Sequence, residues 1–555
     1  MIEKIMSWLL ILLTGIFSSF VSTNYDEIKH QTLKEAISQH IEEMTLEEKI
    51  GQMLMVSFHE HQLEDYVINK KIGGYILFNH NIKGYEELKK TTEKIRRLGE
   101  TNQGLIPFIS IDQEGGIVSR LDSLFYSFPG NMALGATDNL QLAEEQGILT
   151  GRMLRHLGIN LNFAPVVDVN RDYRNPIIGL RSFGNGPLKV ANMAGAFMKG
   201  QEKVGVISSL KHFPGHGNVH QDSHLQLPTN PNLKEDIRGQ DMKPFEIIAR
   251  EGADLIMTAH IKLPELDPNN PATLSSTILQ GELRERLGYE GVIITDDLGS
   301  MKAITSIYST SEAAIRAIDA GVDILLLVAS SHKVEDTIEK IRLAVESGRL
   351  TEARIDQSVE RILDLKYRYG LLGEVIESEE NYEDLYQATV DHSKRVTDGA
   401  VTAIANDFQL VPFHEGKVMV VAKKRKNYNN PMTKKRESLE NLVRGYYRNS
   451  DFYYIDEHLN VEDLKNSIHQ YDRVIFLSEK GYQSQKSSVL LKYLQKSKKL
   501  ILVSLAEPYE MIYLGDFHSH LAIYTSQREG IISTLQAIKG IIPIKGKNPV
   551  PVNAE

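Results

Sequence analysis

Short, nearly unbroken apolar runs alternate with amphipathic stretches from about residue 45 to about residue 335. The runs are Gln52–Phe58, Gly74–Phe78, Pro107–Ile111, Asn160–Asp168, Val204–Leu210, Ala253–Ala259, Gly291–Thr295 and Gly321–Val328. Runs rich in Val, Ile and Leu that lack polar alternation read as parallel strands buried on both faces. Eight such units over this length predict a (β/α)8 TIM-type barrel in preference to an open, doubly wound sheet. From residue 351 helical periodicity takes over, and the charged stretch Glu377–Tyr386 reads as a linker. Four more apolar runs come after it, Lys417–Ala422, Arg473–Ser478, Leu500–Ser504 and Leu521–Thr525, which predict a smaller α/β sandwich domain. The expected division is an N-terminal segment over 1–23, the barrel over 24–372, a linker over 373–400 and the second domain over 401–555.

A parallel barrel carries its chemistry at the carboxyl ends of its strands. The third run ends in Asp112-Gln-Glu-Gly-Gly-Ile-Val-Ser-Arg120 and the fourth in Asp168. The fifth ends in Lys211-His212, the sixth in His260 and the seventh in Asp296-Asp297. The fifth end continues as Phe213-Pro-Gly-His-Gly217 and reaches Asp222-Ser-His224. Four histidines (212, 216, 220 and 224) recur every fourth residue, a spacing that on a helix would suggest a metal site. Pro214, Gly215 and Gly217 exclude that helix, so the spacing loses its geometric meaning and no metal is expected. The segment reads instead as a Gly-hinged loop able to move over a pocket. Asp222 and His224 stand two apart, and a carboxylate beside an imidazole fixes its tautomer and raises its basicity. Such a pair can exchange protons near neutrality. Of the adjacent acids Asp296 and Asp297, one suits a nucleophile and the other a helix cap, but strand alternation alone does not say which.

Composition narrows the classes. At 555 residues, two or three domains are expected. A net charge of −10 argues against a nucleic-acid partner. The absence of cysteine removes disulfides, thiolate metal sites and cysteine nucleophiles. No Gly-x-Gly phosphate loop occurs in the second domain, so no nucleotide cofactor is expected. Trp8–Val21 forms a short apolar core followed by Ser22-Thr-Asn24, which reads as a signal peptide or an uncleaved anchor. The expected location is therefore secreted or cell-surface associated, with any membrane association confined to this segment.

Four motifs, Asp112-Gln-Glu-Gly-Gly…Arg120, Asn175–Phe183, Lys211–His224 and Ile294–Met301, stand in order at strand ends. With them the chain resembles glycoside hydrolase family 3, in its β-N-acetylglucosaminidase branch. Gly299 departs slightly from the family's last motif and is expected to loosen the turn before Met301. The resemblance implies Asp296 as nucleophile, His224 as general acid/base and Asp222 as its partner, in a retaining double displacement. It implies Asp112, Arg120, Lys211 and His212 as contacts to sugar hydroxyls, and Arg181 as a contact on the acetamido side. Asp297 is left with the cap, Asp168 and His260 with supporting positions behind the pocket, and Glu114 with a structural role. The implied substrate is terminal β-linked N-acetylglucosamine, as in peptidoglycan fragments, with no cofactor. A family 3 β-glucosidase, a phosphorylase and a non-catalytic sugar-binding wall module are the competing readings.

Overall fold

The computed structural model describes residues 34–35, 37–101, 104–372 and 380–552. The apolar Trp8–Val21 segment lies outside the described residues, and no described helix is long and apolar enough to cross a membrane.

The eight runs form eight parallel strands: β1 Leu54–Ser57, β2 Gly74–Leu77, β3 Phe108–Ile111, β4 Leu161–Asn162, β5 Ile207–Phe213, β6 Leu255–Thr258, β7 Val292–Thr295 and β8 Leu325–Leu327. They neighbour one another in the order β8-β1-β2-β3-β4-β5-β6-β7. A parallel bridge between Ile294 and Ile324 closes the ring, with Thr295 N–H donating to Ile324 O at 3.0 Å. The barrel is therefore present as expected. Every residue of β1, β2, β3, β5 and β6 is buried, which explains the missing polar alternation in their sequences.

Two strand boundaries differ from the sequence reading. The long fourth run yields only the two residues of β4, because Pro165 offers no N–H to the ladder. Its continuation meets β5 outside the regular ladder, at an isolated bridge between Val166 and Lys211 and through the Asp168 side chain. Conversely, β5 runs on to Phe213, so Lys211 and His212 lie within a strand and not on the loop beyond it.

The expected linker is, over its described part, the 19-residue helix Tyr382–Ala400. Charge misled the sequence reading here. Asn381 caps the helix by accepting from Glu383 N and Asp384 N, and two acids in its first turn complement the helix dipole. Its Leu385 and Val396 are buried in the barrel core, while Ala400 is buried in the core of the second domain.

The second domain is a six-stranded sheet of β9 Thr402–Asn406, β10 Val418–Ala422, β11 Ser450–Tyr454, β12 Arg473–Ser478, β13 Leu500–Ser504 and β14 Ser519–Ala522. Its order is β9-β14-β13-β12-β10-β11, with only β9 antiparallel. The period of two sorts its side chains onto two faces. Val418, Val420 and Ala422 join a core shared with Met132 and Ala133 of the barrel domain, and Met419 and Val421 join a separate core on the far face. β9 and β11 were not anticipated. Both are partly exposed edge strands, whose mixed polarity hides them.

Lys366 is fully buried beneath the barrel, its Nζ donating to Gln52 Oε1 at 2.8 Å and lying 5.0 Å from the Phe108 ring centroid. Burial pushes its ammonium down to about 7 from 10.5. Between those values the unfolded chain holds more protons, so this residue makes stability rise with pH across that window. Lys366→Met should accordingly raise the melting temperature at neutral pH, with the gain shrinking toward pH 10.5. Melting curves across that range test it, and a gain independent of pH refutes it.

Candidate active site

The floor of the barrel mouth is a ladder of buried charge. Arg181 makes a two-pronged pair with Glu114, Nε to Oε2 at 2.9 Å and NH2 to Oε1 at 2.8 Å. Lys211 Nζ lies 2.7 Å from Glu114 Oε1 and 2.8 Å from Asp112 Oδ1. Arg120 NH2 stands 3.6 Å from Asp112 Oδ2. Burial alone would raise the Glu114 carboxyl, but Arg181 and Lys211 override it and hold it down to about 2. Burial likewise opposes charge on Lys211, and Asp112 with Glu114 overrides it, leaving the ammonium above the ordinary lysine range. Glu114 and Lys211 therefore stay ionised at any working pH. Glu114, expected to be structural, is the link that joins Arg181 to Lys211.

Asp168 organises the end of β5. Fully buried, it accepts from His212 Nδ1 at 2.7 Å, from His212 N at 3.3 Å and from His216 N at 2.6 Å. Burial would raise this carboxyl, but the neighbouring His212 imidazole keeps it below the ordinary range. A carboxylate can only accept, so His212 Nδ1 carries a hydrogen.

The loop beyond β5 is not hinged at its glycines. A Cβ on Gly217 would stand 1.8 Å from Val169 O, and one on Gly215, at φ +124°, would stand 2.8 Å from Asp241 Cβ. Both glycines allow close backbone approach, and the loop's base is fixed. Farther along, His224 N and His224 Nδ1 each lie 2.8 Å from Asp222 Oδ1. Nδ1 therefore carries a hydrogen. Ala303 N donates to Ser223 O at 3.2 Å and Lys302 N to His224 O at 3.4 Å, which ties this turn to the segment beyond β7. The His224 side chain is 62% exposed, so the pair is docked but not enclosed. The four histidines have separate surroundings: His212 meets Asp168, His220 meets Asp172 at 3.6 Å, His224 meets Asp222, and His216 has no partner for its ring nitrogens among the described residues.

β7 delivers the two acids to opposite duties. Asp297 accepts from Gly299 N and Val328 N, both at 2.7 Å, and from Ser300 N at 2.9 Å. It caps a turn and ties that turn to the end of β8. Asp296 has no such duty beyond accepting from Asp297 N at 2.8 Å. Burial works to raise the Asp296 carboxyl, but His260, His212, the Asp297 N–H and Lys211 together hold it below the ordinary range, as an anion. His260 is buried behind it, with Nε2 at 3.0 Å from Asp297 O and Nδ1 at 2.9 Å from Thr273 Oγ1. Gly299 does not loosen the turn. A Cβ there would stand 2.6 Å from Val328 O, so glycine permits the turn to press against β8.

A cavity of about 380 Å³ brings these groups together. Asp112, Arg120, Arg181, Lys211, His212, His224 and Asp296 all line it, while Asp222 stands behind His224. Sequence reasoning had not assigned His216 to this wall, nor the apolar Phe78, Phe163 and Met257. The three apolar residues sit in or beside strand runs and read as core. His216 was visible within the histidine-rich loop but had no partner in sequence to define it.

An ionised carboxylate at a strand end and an imidazole–carboxylate pair at one sugar-sized cavity are the groups that glycoside hydrolysis on a (β/α)8 barrel would need. A model described as the glycosyl hydrolase family 3 N-terminal domain matches residues 45–365, and the chain belongs to that family. It is 36% identical over 366 residues to a β-hexosaminidase A of Pseudoalteromonas piscicida, a match spanning 58% of this chain and 61% of that relative. It is similar to a solved family 3 β-N-acetylglucosaminidase from Paenibacillus sp. at 30% identity and a TM-score of 0.81, covering 92% of this chain and all of the other. A solved LpqI of M. tuberculosis, 32% identical with a TM-score of 0.54, is covered over 94% of its length by only 58% of this chain.

Replacing Asp297 tests its structural assignment. Asn at this position sets an amide NH2 against backbone donors that now meet an oxygen. Asp297→Asn should lower stability by about 1–3 kcal/mol, read from the urea midpoint. An unchanged midpoint contradicts the role.

Proposed function

We propose that the protein is an exported, retaining β-N-acetylhexosaminidase that releases terminal β-linked N-acetylglucosamine from peptidoglycan fragments or related glycans. The observation that carries this reading is one cavity lined by both Asp296 and His224, with His224 Nδ1 engaged by Asp222. The β-hexosaminidase names of its relatives and the apolar Trp8–Val21 segment support the finer points of substrate and export.

The mechanism rests on which atoms are free. A terminal sugar enters the cavity with its hydroxyls toward Asp112, Arg120, Lys211 and His212, and its acetamido side toward Arg181. His224 Nε2, protonated, gives its proton to the departing glycosidic oxygen while Asp296 attacks the anomeric carbon. Asp222 stabilises the imidazolium before transfer and keeps Nδ1 protonated afterwards. Neutral His224 Nε2 then takes a proton from water, which displaces Asp296 and restores the enzyme with net retention. The exposed position of His224 suits a residue that must meet a leaving group and then a water from the same side. The charged floor closes the pocket behind one sugar, which favours action at chain ends.

Asp296→Asn should reduce turnover below a few per cent without unfolding the protein, and appreciable residual activity of an uncontaminated preparation excludes Asp296 as nucleophile. His224→Ala should slow a natural disaccharide far more than a dinitrophenyl glycoside, whose leaving group needs no proton. On the activated substrate it should give a burst followed by slow turnover, because deglycosylation lacks its base. Acid/base assistance of this kind contributes about 10²–10⁴ in rate. Asp222→Asn should show the same pattern more mildly. Equal losses on good and poor leaving groups would return the loop to substrate binding.

A further inference from the structure

The second sheet contains a crevice that the barrel chemistry does not use. Its parallel part runs β11-β10-β12-β13-β14, so the chain leaves β10 toward one edge and later returns on its other side as β12. The helix after β10, Leu439–Arg444, packs on the face shared with the barrel, while the helix after β12, Gln485–Leu494, packs on the far face. The two connections thus part in opposite directions above the carboxyl ends of adjacent strands. Open α/β sheets hold ligands in the crevice at such a switch point.

A cavity of about 240 Å³ lies there, lined by Lys423 beyond β10, Ser478 at the end of β12, Lys480, Ser484 and Ser487. Ser487 is 3% exposed, and its hydroxyl has no hydrogen-bond partner among the described residues. It stands in the first turn of the ten-residue helix Gln485–Leu494, whose N-cap Ser484 accepts from Ser487 N at 3.4 Å. The first-turn N–H groups of a helix lack intrahelical partners and favour negative charge. Lys423 makes no ion pair among the described residues. The nearby acids are already engaged, Glu479 by Arg425 and Glu507 by Lys480 at 3.3 Å. Toward the cavity stand Lys423, Lys480, the Arg425-bound Glu479, Ser487 and a helix N-terminus.

We infer that this crevice is a second ligand site, which takes a small oxyanion: a phosphate or carboxylate on a molecule no larger than one sugar. Its volume is below the roughly 300–1,000 Å³ of sites that enclose drug-sized ligands, and it lacks a glycine-rich loop, so a nucleotide does not fit. The site also has a route to the barrel. Glu507, which holds Lys480, fills the space beside Gly179, where a Cβ would stand 2.1 Å from Glu507 Oε1, two residues before Arg181. An anion that drew Lys480 away would alter the charge packed against the Arg181 segment.

The full chain is titrated calorimetrically with inorganic phosphate, glucose 6-phosphate, glucuronate and, as the uncharged control, glucose, with the barrel blocked throughout by an iminosugar inhibitor. Saturable binding of an oxyanion probe and none of glucose is expected, and the probe that binds identifies phosphate or carboxylate as the group recognised. Lys423→Ala and Ser487→Val should each weaken it about tenfold or more while leaving inhibitor affinity unchanged. No saturable binding of any anion at millimolar concentration overturns the inference, as does equal binding by the variants. Should Ser487→Val not fold, the exposed Lys423→Ala decides alone.

Discussion

The candidate site depends on the run of alternating charge from Arg181 through Glu114, Lys211 and Asp112 to Arg120, buried at Glu114 and Lys211 and partly exposed toward Arg120. These five residues come from three places: the end of β3 and its loop, the segment after β4, and β5 itself. Ionic contacts in a low-dielectric interior tolerate little displacement, because losing one partner leaves a desolvated charge whose cost is about 3–5 kcal/mol. Register between β3 and β5 is therefore specified by charge as well as by packing. On the proposed function, a sugar would meet side chains already held in place. Little of its binding energy would be spent on ordering Lys211 or Arg181.

Asp168 extends the same logic along β5. One carboxylate satisfies two backbone N–H groups and a ring nitrogen, which fixes His212 and starts the loop in a single direction. Gly215 and Gly217 permit that direction by close contact with neighbouring backbone. Any movement of Asp222 and His224 is left to the stretch beyond Gly217, where exposure rises.

The barrel was legible because burial on both faces writes an unmistakable run of Val, Ile and Leu, and because the acids and histidines collected at the ends of those runs. The roles of Asp296 and Asp297 were not legible from the residues themselves. Two adjacent acids look alike in sequence, and only the N–H groups around Asp297 separate them. Glycine was misread three times for one reason. Gly215, Gly217 and Gly299 each look permissive along the chain, yet each answers to an atom distant in sequence. The helix Tyr382–Ala400 was missed because its exposed face is charged and its buried face is divided between two cores.

That divided helix has a consequence for how the molecule holds together. Ser393 Oγ donates to the carbonyl of Ser127 in the barrel, and Thr397 Oγ1 receives Ser533 Oγ of the second domain. Phe128 O is likewise taken by Gln527, and Ala136 O by the backbone of Lys547. Cutting the chain after the barrel would strip those groups of their partners and uncover apolar surface on both sides. This chain has handed part of its barrel wall to the second domain. With a core shared across that boundary, the two domains are expected to melt together.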